Sequence, residues 1–140
     1  IIAINLNGVF NVTYAFLDPL RAAKGRIVNI GSIQSSVHLK TPSSPAYTAS
    51  KHGVLGFTKA LAAELANKGV TVNAVAPGYV GTDMVMAIRD DIRQGIIDSV
   101  PMKRLGRPDE IGDLCAYLAS DKAAYITGAT ININGGLHMC

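Results

Sequence analysis

Tyr47 and Lys51 stand four residues apart in Tyr47-Thr48-Ala49-Ser50-Lys51, and Ser32 precedes them in Val28-Asn29-Ile30-Gly31-Ser32. Residues four apart on a helix lie one above the other, so the Lys51 ammonium comes near the Tyr47 phenol and favours its ionised form. A phenol with an ordinary pKa of about 10 is too weak a base at neutral pH. A cation about 4 to 5 Å away, at an effective dielectric of about 20, contributes roughly 4 kcal/mol, or two to three pKa units. A phenol so placed approaches the range where it gives or takes a proton. Hydride transfer to a carbonyl needs such a group, because the developing alkoxide must be protonated while a second donor holds the oxygen. Tyr47 fits the first role and Ser32 the second. Neither can deliver hydride, so a nicotinamide cofactor is expected against them.

These residues need a scaffold, and the composition supplies one. With 140 residues, 49% of them hydrophobic and 16% charged, the chain has the size of one domain and enough apolar surface to bury a core. The formal charge of +3 is spread out, with no basic run longer than Lys103-Arg104, which argues against a nucleic-acid surface. Cys115 and Cys140 make neither a disulfide framework nor a metal-ligand cluster, so no metal is expected and a reducing compartment is the default. No segment reads as a signal peptide or reaches membrane-spanning length, and the expectation is a soluble, cytoplasmic protein.

Apolar positions from Ile2 to Leu20 follow the helical period and predict one helix over residues 2–23, with Pro19 bending its last turn. Arg26 to Ile30 reads as a short strand, followed by a Ser- and Pro-rich loop to Pro45. A second helix starts with Ser44 as N-cap and Pro45 at its first position and stops at Gly69. Inside it, Ala49, Gly53, Gly56, Ala60 and Ala63 form a small-residue stripe that predicts close approach of another element. Val70 to Ala76 is a strand of the buried, parallel type, closed by Pro77-Gly78. One or two short helices over 83–100, a helix over 109–119 and a strand over 130–133 complete the order. Alternating helices and strands with long crossovers indicate an α/β domain with a parallel sheet, although only three strands can be found.

Ser32, Tyr47 with Lys51, and Pro77-Gly78-Tyr79-Val80-Gly81-Thr82 together resemble the short-chain dehydrogenase/reductase family. Asn5 to Gly8, Ile126-Thr127-Gly128 and Asn134-Gly135-Gly136 extend the resemblance over almost the whole chain. It is closest in kind to the branch containing 3-oxoacyl-acyl-carrier-protein reductases and related sugar, polyol and hydroxy-acid dehydrogenases. The resemblance implies a Rossmann-type doubly wound parallel sheet of which residues 1–140 are the second, catalytic half. The glycine-rich first turn and the rest of the dinucleotide-binding half, roughly a hundred residues, have no counterpart here. The first strand would then have one open edge.

Residue by residue, the resemblance makes Tyr47 the general acid or base and Lys51 the group that tunes it and binds the nicotinamide ribose. Ser32 becomes the carbonyl-binding donor, with Ser35 as a competitor because the loop to Tyr47 is somewhat long. Asn5 corresponds to the asparagine that kinks its helix and holds a water linking the lysine to solvent. Pro77, Gly78, Val80 and Thr82 resemble the segment lining the nicotinamide, with the Val80 backbone and the Thr82 hydroxyl meeting its carboxamide, although Thr82 is also an N-cap candidate for the helix after it. His38 and Lys40 are possible substrate contacts, and Met84, Val85, Met86 and Ile88 read as an apolar lid. The implied protein uses NAD or NADP on a small carbonyl or alcohol substrate and assembles as a homotetramer. The rival from another class is a non-catalytic fragment serving only as an assembly surface.

Overall fold

A computed structural model of the chain describes residues 1–35 and 44–139; His38, Lys40 and Cys140 lie outside them. The first expected helix is three pieces. Ala3–Asn7 is a π-helical turn closed by the Gly8 N–H on the Ala3 carbonyl, α1 spans Gly8–Ala15 and α2 spans Leu17–Ala22. Phe16, at φ −102 and ψ 8, separates the two helices. Pro19 is the physical reason: it has no N–H to give, and its ring crowds the carbonyl of residue 15, so the chain breaks a turn earlier than expected.

Three parallel strands follow in the order β1-β2-β3: β1 at Arg26–Ile30, β2 at Thr71–Pro77 and β3 at Thr130–Ile133. The crossover from β1 to β2 carries α3 (Pro45–Leu65). That from β2 to β3 carries α4 (Asp83–Met86), α5 (Asp90–Ser99) and α6 (Pro108–Ala119). β2 is the centre, and its residues Thr71 to Ala76 are buried on both faces. Val72 packs with Leu61, Ala62 and Leu65 of α3, while Val75 packs with Leu118 of α6 and with Ala123. Helices therefore cover both faces, as a parallel sheet requires. This is the Rossmann-type arrangement, present as a three-stranded piece. In the Ile30–Val75 register, Gly31 donates to the Val75 carbonyl, so the main-chain groups of Arg26, Val28 and Ile30 point away from β2. Among the described residues no strand pairs with that edge.

α3 is specified at both ends. The Ser44 hydroxyl accepts from the Tyr47 N–H, Pro45 occupies the first turn, and Gly69 ends the segment at φ +75. Of the two glycines in the small-residue stripe, one has a close partner. A Cβ on Gly53 would stand 3.0 Å from both methyls of Leu6, so the π turn packs there, whereas Gly56 faces open space. No described helix is long and apolar enough to cross a membrane.

One buried polar link joins α3 to the sheet. The Asn29 amide donates to Thr58 Oγ1 at 2.9 Å, and that hydroxyl donates to the Val54 carbonyl at 2.8 Å. Thr58→Val strands the Asn29 amide and is expected to cost about 1–3 kcal/mol of stability in urea unfolding. An Asn29→Leu, Thr58→Val double variant should lose less than the two single changes summed, because no orphaned donor remains.

Candidate active site

The candidate residues gather at the carboxyl ends of β1 and β2, where ligands collect in open α/β sheets. Ser32 and Pro77 each lie two positions beyond the paired Ile30 and Val75, so the two segments leave the sheet side by side. A 3₁₀ turn at Ile33–Ser35 follows Ser32 at once. The Ser32 hydroxyl accepts from the Gln34 N–H at 3.2 Å, which leaves its own proton to donate. Ser35, only 4% exposed, donates its hydroxyl to the Ser32 carbonyl and accepts from the Ser32 N–H. The competitor expected from sequence thus has its proton committed to holding the Ser32 backbone. The Thr48 hydroxyl reaches the Gln34 side-chain oxygen at 3.4 Å and ties this turn to α3.

Tyr47 and Lys51 occupy the first two turns of α3 and face the same way. The Lys51 Nζ lies over the Tyr47 ring, 5.8 Å from its centroid, within the range of a cation–π contact. It donates at 2.8 Å to the Ile30 carbonyl, one of the main-chain groups turned to the open edge of β1. Burial pushes the Lys51 amine below its ordinary value of 10.5. Asn5 comes from the π turn and donates its amide to Ser50 Oγ at 3.3 Å; Ser50 in turn donates to the Tyr47 carbonyl at 2.7 Å. Ser50 is fully buried, so it joins the Asn5 turn to the Tyr47 turn. Sequence reasoning passed over Ser50; its only signal was a serine in a helix interior, a type that back-bonds to the preceding turn. Asn5 and Lys51 line one groove of about 590 Å³ between the first helices and β1.

After β2 the chain runs against the segment following β3. Gly78 donates to the Ile133 carbonyl at 3.0 Å, and a Cβ there would stand 2.8 Å from Asn134 Cα and Cβ, so only glycine fits. Val80 forms a parallel bridge with Gly106: Gly81 donates to the Gly106 carbonyl and Gly106 to the Tyr79 carbonyl, both at 2.9 Å. Thr82 stands at the N-cap position of α4, but its side chain makes no capping bond, contrary to that sequence expectation. The bridge directs the Val80 N–H away from Gly106. It and the Thr82 hydroxyl make no hydrogen bond to other described residues.

The family model described as enoyl-(acyl carrier protein) reductase matches residues 1–138. The chain belongs to the short-chain dehydrogenase/reductase family. It is 62% identical over 140 residues to nodulation protein G of Azospirillum brasilense, covering 99% of this chain and 56% of that protein. A 3-oxoacyl-acyl-carrier-protein reductase of Brucella melitensis superposes with a TM-score of 0.92 at 36% identity, covering 97% of this chain and 51% of the other. A putative 2-deoxy-D-gluconate 3-dehydrogenase of Agrobacterium tumefaciens with bound NADP gives 0.86 at 42% identity, with 95% and 55% covered. The chain therefore spans about half the length of these short-chain dehydrogenase/reductase relatives.

Because the fold lowers the Lys51 pKa, the unfolded chain holds that proton more tightly between the two values. Lys51 therefore makes stability rise with pH through the window below 10.5. In an NMR titration of ¹³C-methylated lysines, the resonance assigned by its loss in Lys51→Arg is expected to titrate below an ordinary lysine. A midpoint at or above the ordinary value overturns the reading of a half-buried amine.

Proposed function

We propose that the chain is the catalytic half of an NAD(P)-dependent oxidoreductase that interconverts a ketone and a secondary alcohol. The observation that carries the proposal is the Lys51 ammonium over the Tyr47 ring in the first turns of α3, tethered to the carbonyl of Ile30, two residues before Ser32. Ser32 donates its hydroxyl to the carbonyl oxygen, and Tyr47 gives that oxygen its proton on reduction and takes it back on oxidation. Lys51 places positive charge beside the phenol and reaches towards a ribose. Asn5, held against Ser50 beside the turn that carries Lys51, serves a proton path to that lysine. The bound nicotinamide supplies hydride. Val80 and Thr82 would hold its carboxamide, with Pro77 and Gly78 alongside.

The dinucleotide-binding half would cover the open edge of β1. The relatives' extra length and the NADP in the Agrobacterium protein support that reading. The Brucella protein's name favours a 3-oxoacyl thioester as substrate; the Agrobacterium protein's favours a sugar acid, and the loop at 33–45 and the lid at 83–100 are where the two would be told apart. We place the enzyme in the cytoplasm, beside its reduced cofactor.

One observation favours assembly as well. Phe10, Tyr14 and Phe57 form an aromatic group between α1 and α3, with Phe10 50% and Tyr14 69% exposed. An exposed apolar patch of this kind serves a subunit contact, and a homotetramer would use it. Taken alone, the patch also supports the rival reading of a non-catalytic assembly piece.

NADH and NADPH fluorescence separates the two. The 140-residue chain by itself should not change it, whereas the chain joined to the part of the Azospirillum relative that the match leaves out should. In the joined protein, Tyr47→Phe is expected to lower kcat by about 10²-fold or more with cofactor affinity retained. Turnover that survives Tyr47→Phe sinks the catalytic reading.

A further inference from the structure

The segment that carries Val80 and Thr82 is a loop, and what fixes it lies outside the chemistry described above. Among the described residues, Val80 bridges in parallel to Gly106, in the turn from Arg104 to Arg107. That turn is gathered by one carboxylate. Glu110, in the first turn of α6, accepts from the Arg107 N–H at 2.7 Å and from both Arg104 guanidinium nitrogens at 2.9 and 2.8 Å. Arg104 also donates to the Leu105 carbonyl at 3.0 Å. The two ends of the turn are thus held on a single side chain, with Gly106 between them and its N–H and carbonyl turned to the Tyr79–Gly81 backbone.

The bond from the Arg107 N–H makes Glu110 the capping-box residue of α6, a stabilising role, but the surface pair with Arg104 adds little to stability and helix capping does not account for it. A two-point guanidinium–carboxylate contact is instead a device of direction. We propose that Glu110, with Arg104, is a positioning residue that sets the Val80 N–H and Thr82 hydroxyl for the nicotinamide carboxamide; this rests on the cofactor reading above. Arg104 and the Arg107 N–H hold the Glu110 carboxyl down at about 2, so it stays ionised and the brace does not switch near neutral pH.

The test compares two ligands of the protein carrying both halves of the domain. The reduced cofactor presents the carboxamide, whereas ADP-ribose, or its 2′-phosphate for an NADP-binding protein, lacks the nicotinamide. Glu110→Gln should weaken NAD(P)H binding by about tenfold and leave the ribose fragment's affinity unchanged. Arg104→Gln breaks the same contact from the other side and should match it, and the double variant should be no worse than either. Asp109→Asn is the control, because Asp109 pairs only with the Arg107 side chain and should bind both ligands normally. The inference is overturned if Glu110→Gln and Arg104→Gln weaken both ligands equally, or neither. Failure of the cofactor reading looks different: the unmodified protein would then bind the fragment and the whole cofactor alike.

Discussion

The register between β1 and β2 is the constraint from which the candidate site follows. Parallel pairing of Ile30 with Val75 sends Ser32 and Pro77 off the same edge of the sheet, one strand spacing apart. A slip of one residue would turn every side chain to the other face. Asn29 would leave Thr58, and Val28 would leave the layer of Val75 and Leu118. The buried amide–hydroxyl link and the two apolar layers therefore do more than hold the helices on. They fix which residues stand at the rim.

On that rim Lys51 answers to two demands. Its half-buried stem disfavours the charged form, while the Ile30 carbonyl and the Tyr47 ring face favour it. The carbonyl belongs to the sheet edge that no described strand covers, so the ammonium acts as the cap of a strand end as well as the neighbour of a phenol. A lysine in bulk solvent would be free to swing away. One tethered at 2.8 Å keeps its charge on the tyrosine side of α3.

Much of this was legible in the sequence because it is local. Tyr47 and Lys51 meet by helical spacing alone, Ser44 and Pro45 announce the helix that carries them, and Thr130 to Ile133 forms the short strand expected before Asn134-Gly135-Gly136. What escaped is non-local or depends on hydrogen bonds with no periodic signature. The break at Phe16 comes from a proline three residues later acting on the preceding turn. Ser50 meets Asn5 across forty-five positions and passes the link to Tyr47, and Ser35 serves as a clamp only because the chain turns back on Ser32. The stripe on α3 misled in part, since glycine at one point meets Leu6 and at the next meets nothing.

These contrasts explain why the two halves of the site are built so differently. Tyr47, Ser50 and Lys51 sit on a helix of twenty-one residues, whose own backbone sets their spacing. The 77–82 segment has no such support. Gly78 must come close enough to Asn134 that no side chain is tolerated, and Val80 depends on a turn about twenty-five residues further along the chain. Precision on a helix comes from its own hydrogen bonds, whereas precision in a loop has to be borrowed from neighbours. A bidentate ion pair at the start of α6 is a physically sensible lender, because its geometry is directional even where its contribution to stability is small.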